Sequence, residues 1–173
     1  MELQNRLKQF DGLMNGCVSP KFREWLIDNG FFTAPASTKY HGAYEGGLFD
    51  HCYNVATVLL EMSAREDLTW QDSRSPLIIG MFHDLCKIDS YISTEEGYKY
   101  NSNTLLQGHG DKSVMVLAQH LQLTEEEIIC IRYHMGAYTD KEEWTFYDRA
   151  IRKYPNVLAT HTADMIASKL IEK

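Results

Sequence analysis

No run of about 18 apolar residues occurs in the 173-residue chain, which excludes a membrane-spanning helix. The opening "MELQNRLKQF" carries charges where a secretory signal needs an apolar stretch, so a cytoplasmic location is the expectation. Cysteine is sparse: Cys17, Cys52, Cys86 and Cys130 lie 35, 34 and 44 positions apart with no C-x-x-C pair. That spacing fits neither a zinc knuckle nor a dense disulfide framework, and reduced thiols, mostly in the core, are expected. A basic excess is also missing, with 17 Lys and Arg against 24 Asp and Glu and a formal charge of −7. Such a surface neutralises few phosphates, so long DNA or RNA is not the expected partner. A small anionic substrate stays open, because bound divalent cations reverse the local field of an acidic protein. No repeat, linker or low-complexity segment is visible.

What remains is a globular composition, 44% hydrophobic and 24% charged. The length predicts a single domain over 1–173, with N-terminal helices in 1–30 packing on a core in 31–170. Amphipathic helices joined by short polar breaks account for most of it. Leu3, Leu7, Phe10 and Met14 recur at helical spacing. "SPKFREWLIDNG" offers Ser19 as a cap, Pro20 at the first helical position and Gly30 beyond the end. After the loop "TAPASTKYHGAYEGG", a helix from Leu48 to about Arg65 puts His51 on one face with Val55, Val58, Leu59 and Met62. Ser75–Pro76 starts another, apolar up to His83 and Asp84. "YISTEEGYKYN" reads as a small hairpin or an ordered loop near 91–101. Further helices are predicted from His109, from Thr124 to His134 behind a Thr124–Glu127 capping box, and from Asn156 to Leu170 with Leu158, His161, Met165 and Ile166 inward. The fold class expected is all-α, an orthogonal helical bundle.

His83–Asp84, at the end of the oily "GMFHDLCKID", means little alone, because that dipeptide is common. Its company changes the reading. His51, His83, His109 and His134, with Asp84 and Asp164, come from separate helical segments 25 to 32 residues apart. A helical bundle converges such residues on one interior point. Imidazole with carboxylate suits first-row divalent metals, and the absence of a cysteine pair favours a catalytic site over a structural zinc. Lys87 follows His83 by four and Asp84 by three, the neighbouring turn of a continuing helix, where its ammonium can meet a phosphate oxygen. His161 precedes Asp164 by three and shares its face, as an orienting or substrate-lining residue or as a buried hydrogen-bonded histidine. Asp111 and Lys112 read as capping and solvated, and His41 and His120 show no partner. Tyr40, Tyr44, Tyr133 and Tyr138 flank the motifs and read as core or rim, with base stacking the alternative.

The order His51, His83–Asp84, Asp164 resembles the HD superfamily of metal-dependent phosphohydrolases, over about Phe31 to Lys169. "YEGGLFDHCYNVA", "HDLCKI", "LLQGHGDKSV", "YHMGAY" and "HTADMIASK" also resemble, in order and spacing, the HD half of a bacterial 3′-to-5′ exoribonuclease. The resemblance implies an all-α fold, with His51, His83, Asp84 and Asp164 as ligands of one metal. It also implies a second metal on His109 and His134, with Asp84 bridging. It implies hydrolysis of a phosphomonoester or phosphodiester by metal-activated hydroxide, with Asp84 and Lys87 catalytic. The divalent metals, among Mn, Fe, Co, Ni, Zn and Mg, are not distinguished, and the substrate implied is small, phosphorylated and nucleotide-like. The second histidine and Gly-Tyr-Pro element of cyclic-di-GMP hydrolases are missing, Met135 following His134. A non-catalytic module sensing a nucleotide or metal for a partner is the alternative. The oligomeric state is open.

Overall fold

The computed structural model describes residues 2–172. Helix α1 (Leu3–Leu13) and α2 (Pro20–Asp28) precede the long α3 (Gly47–Arg65) and the short, almost wholly apolar α4 (Ser75–Phe82). A 3-10 turn (Leu85–Asp89) leads into a hairpin of β1 (Tyr91–Thr94) and β2 (Gly97–Tyr100), paired antiparallel with Tyr91 opposite Tyr100. Then come α5 (Gly110–Leu117), α6 (Glu125–Arg132), α7 (Trp144–Lys153) and α8 (Asn156–Ile166), which passes into a π-helical turn over Ala167–Ile171. The architecture is a helical bundle with one small hairpin, as the periodicities predict. Among the described residues no helix is long and apolar enough to cross a membrane.

Helix α3 is the central element and packs on α1, α4, α8 and the π turn. Its start is held by a buried ion pair: Arg6 donates from Nε and Nη2 to the two oxygens of Asp50, at 2.9 and 3.0 Å, and from Nη2 to the Glu45 carbonyl. Gly46, at φ 82°, caps α3 beneath that guanidinium, where a side chain would overlap Arg6. His51 follows Asp50 directly, so the clamp that orients the first turn of α3 also orients His51. Helix α4 lies against α3 so closely that a Cβ on Gly80 would meet the Ala56 backbone. Phe10, Phe22, Phe31, Phe32, Phe49 and Phe82 fill the core on the other side.

The capping box of α6 is present, Thr124 Oγ1 accepting from Glu127 N and the Glu127 carboxylate from Thr124 N. Glu127 also accepts from Ser75 Oγ at 2.9 Å, which ties the start of α6 to the start of α4. The four cysteines are buried free thiols, as expected from their spacing.

Several expectations are corrected. Helix α6 ends at Arg132, two residues before His134, because Tyr133 leaves helical geometry at ψ 18°. The polar stretch after Gly136 hides α7, unforeseen because a 3-10 turn without a side-chain cap precedes it. Leu158 is not an inner position of α8 but about half exposed. Lys112 is not solvated but buried, its ammonium on the Asp89 carboxylate. Asp111 does not act as a cap; it pairs with Arg132.

Replacing Gly80 by alanine gains about 1 kcal/mol of helix propensity and loses more to overlap with α3. The expected outcome in urea unfolding is a net loss of about 1–2 kcal/mol at unchanged m-value. A variant as stable as the parent would mean that α3 and α4 separate without cost.

Candidate metal centre

Each of five elements delivers one or two side chains to the same point. His51 enters from the second turn of α3, whose inner face it shares with Leu48, Cys52 and Val55. Apolar burial of Ile78, Ile79, Met81 and Phe82 pins α4, so His83, at its end, is fully buried. The chain leaves α geometry at Asp84 (φ −103°, ψ 18°), and the 3-10 turn beyond it brings Lys87 back. Lys87 Nζ lies 2.7 Å from Asp84 Oδ2. The continuing helix expected there does not occur, yet the tighter turn delivers the lysine to the same neighbourhood. His134 arrives just past α6 and Asp164 from α8.

The geometry centres on Asp84. Its Oδ2 lies 3.7 Å from His51 Nε2 and 3.6 Å from His83 Nε2, while Oδ1 lies 3.5 Å from His134 Nε2. Asp164 Oδ1 approaches His51 Nε2 to 3.2 Å, too far off line for an aligned hydrogen bond. Donor atoms of His51, His83 and Asp84 fall within 4.8 Å of one another, as do those of His83, His134 and Asp164. His109 stands apart: its ring is exposed, and its Nδ1 is 3.8 Å from Cys86 Sγ, in a separate group with Asp84 and Cys86. It still lines the same cavity of about 160 Å³, with Lys87, Met135, Tyr138, His161 and Lys169.

The hydrogen-bond partners assign the tautomers. His83 donates from Nδ1 to the Gly80 carbonyl at 2.9 Å, and His134 from Nδ1 to the Ile131 carbonyl at 2.8 Å. His161 likewise donates from Nδ1 to the His134 carbonyl at 2.9 Å. It comes that close because Gly136, at φ 55°, has no side chain where the imidazole lies. His51 gives its Nδ1 proton to the Glu172 carboxylate, 3.1 Å from each oxygen. With Nδ1 so engaged, Nε2 is the atom each ring offers the site. The Nε2 atoms of His51 and His83 are buried without a hydrogen-bond partner among the described residues. A buried polar atom left without a partner costs on the order of 1–3 kcal/mol, and a cation accepting its lone pair removes that cost. Imidazole nitrogens facing carboxylate oxygens are the donor set of first-row divalent ions, so these residues fit such a metal.

Burial and the neighbouring carboxylates set the charge state of each group in the metal-free centre. Burial pushes His83 down to about 4, so it is neutral at pH 7. Burial also opposes charge on His51, but the Asp164 and Glu172 carboxylates outweigh it and hold His51 at about 9. Burial would raise Asp84, yet Lys87 and the histidines keep it well below the ordinary carboxylate range. Asp164 is lowered too, burial being outweighed by His51 and His83.

Two residues escape the sequence reading. Glu172 carries no motif, and its role rests on a fold-dependent approach to His51. His41, without a partner in the sequence pattern, has its ring centroid 4.8 Å from that of His51. His120 stacks on Phe22 with ring centroids 4.7 Å apart and belongs to none of the donor groups, a packing role. Tyr133 is buried, whereas Tyr40, Tyr44 and Tyr138 are exposed.

Residues 48–167 match the family model described as HD domain, a span from the first turn of α3 to the end of α8. The chain belongs to the HD domain family. It is 35% identical over 77 residues to the dihydroneopterin 2′,3′-cyclic phosphate phosphodiesterase of Methanocaldococcus jannaschii, covering 42% of this chain and 31% of that protein. The match thus spans about a third of the relative's length. No solved structure matches. The matched HD domain contains His51, His83, Asp84, His109, His134 and Asp164, whereas Glu172 lies beyond it.

In metal-free protein His51 holds its proton more tightly when folded than when unfolded. Its charge therefore stabilises the fold fully below about pH 6.5, and that contribution is lost as pH rises through about 9. In chelator-treated protein the thermal midpoint should fall from about pH 7 to about pH 9.5, and Asp164→Asn should flatten the fall. An equal slope in parent and variant would contradict the pairing of His51 with Asp164.

Proposed function

We propose that this HD domain is a metal-dependent phosphohydrolase that cleaves a phosphomonoester or phosphodiester of a small nucleotide-like substrate. The observation that carries the reading is the pair of buried Nε2 atoms, on His51 and His83, without a hydrogen-bond partner among the described residues and facing Asp84. His51, His83, Asp84 and Asp164 would hold one divalent ion. His134 and His109 would hold a second, with Asp84 bridging. The two oxygens of Asp84 face different partners, His51, His83 and Lys87 on one side and His134 on the other, which supports the bridging role. When bound, divalent cations supply a lowered water pKa and positive charge beside the phosphate oxygens.

The chain's own groups do the rest. Asp84 orients the donor set. Lys87, charged and balanced by Asp84, keeps two further N–H donors for a non-bridging phosphate oxygen in the cavity. His161, its Nδ1 bound to the His134 carbonyl, leaves Nε2 to line the cleft and orient substrate. Met135 and Tyr138 give the cleft an apolar wall on which a planar ring can lie. The relative's name describes a phosphodiesterase of a cyclic phosphate, which favours a diester for this chain as well. The likeness of motifs to the HD half of an exoribonuclease supports an oligonucleotide end as one form of that diester. The charge of −7 speaks against a long polynucleotide.

The test is hydrolysis of bis(p-nitrophenyl) phosphate with Mn or Fe, followed by a panel of nucleotides, cyclic nucleotides and short RNAs. His83→Ala with Asp84→Ala should abolish turnover and metal uptake. Lys87→Ala should keep the metal and lower kcat by about 10²-fold, the effect of removing one charge-stabilising donor. Metal uptake without hydrolysis of any phosphoester would instead favour the sensing module.

A further inference from the structure

We infer that Glu172 is a positioning residue for this centre: it takes the Nδ1 proton of His51 and so presents His51 Nε2 as a metal ligand. The inference rests on the metal-binding reading above, but it concerns a residue outside the matched HD span. Both carboxylate oxygens of Glu172 stand 3.1 Å from His51 Nδ1. Asn54, on the same face of α3 as His51, donates from Nδ2 to Glu172 Oε1 at 3.0 Å and fixes the carboxylate from its other side. The contact is specific in kind, because His83, His134 and His161 give their Nδ1 protons to backbone carbonyls instead. A carboxylate partner orients the ring and makes the opposite nitrogen a stronger donor to a cation.

The fold has a device that delivers Glu172 there. Helix α8 carries Asp164, which faces Nε2 of His51, and eight positions later Glu172 reaches Nδ1 of the same ring. Between them the helix widens into the π turn over Ala167–Ile171, closed by Glu172 N on the Ala167 carbonyl at 3.0 Å. One extra residue per turn rotates the residues beyond it by about 100° relative to an unbroken α-helix. That rotation turns Glu172 toward α3, on which the π turn packs. One segment therefore holds Nδ1 of His51 by a hydrogen bond and sets a carboxylate before its Nε2.

Zinc affinity, measured by competition with a chromophoric chelator, tests this on the full chain. Glu172→Ala should raise the zinc Kd by about 10–100-fold, the loss usual for an outer partner of a ligating histidine. Glu172→Gln, whose amide oxygen still accepts the proton, should recover most of that loss, and Asn54→Ala should lie between. In the zinc-loaded protein the His51 Nδ1 proton should give a strongly downfield resonance that Glu172→Ala removes. A Glu172→Ala Kd within twofold of the parent overturns the inference and leaves the metal reading intact. Equal losses in Glu172→Ala and Glu172→Gln with the resonance unchanged also overturn it, since a loosened π turn would then be the cause. A parent chain that takes up no zinc, manganese or iron removes both readings.

Discussion

A carboxylate almost out of reach of water, Asp84, is the group that the rest of the structure has to accommodate. An isolated buried carboxylate costs several kcal/mol and would ordinarily take up a proton. Here Lys87 and three imidazoles surround it, and it stays ionised. Asp84, Asp164 and Glu172 are negative, and against them stand Lys87 and a protonated His51; burial keeps His83 neutral, while for His134 burial is outweighed by Asp84, which raises it. The metal-free centre therefore gathers carboxylates around the buried Nε2 atoms of His51 and His83, which have no hydrogen-bond partner among the described residues, a donor set that a divalent cation satisfies once His51 gives up its proton.

Holding that arrangement is the work of the scaffold. The Arg6–Asp50 clamp sets the first turn of α3, and Gly80 lets α4 approach until His83 and His51 are neighbours with ring centroids 5.3 Å apart. Glu127 locks the start of α6 onto α4 by way of Ser75, which places Ile131, the acceptor that orients His134. Apolar burial supplies most of the stabilisation, and these few polar contacts decide where it puts the candidate ligands.

Much of the fold is legible in the chain itself. Regular apolar spacing marks most of the helices, and Ser19, Thr124 and Glu127 mark their starts by capping chemistry that is local in the chain. Helix α7 is the exception, because a 3-10 turn and no side-chain cap mark its start, although Tyr147, Ala150 and Ile151 meet the core at helical spacing. The candidate ligands are legible as residue types in order. His109 shows the limit: its place in the motif is regular, yet its ring sits at the rim, grouped with Asp84 and Cys86 and not with His51, His83, His134 or Asp164.

By itself, then, the sequence determined the helical class, the approximate span of its helices, the reduced cysteines and the roster of imidazoles and carboxylates, since periodicity, capping and residue chemistry are properties of short stretches. Only the tertiary structure decided which nitrogen each histidine offers, which oxygen of Asp84 faces which partner, and that Glu172 and His41 close on His51. Those depend on contacts across as many as 121 positions, and no local pattern records which backbone carbonyl or distant carboxylate will reach a given Nδ1.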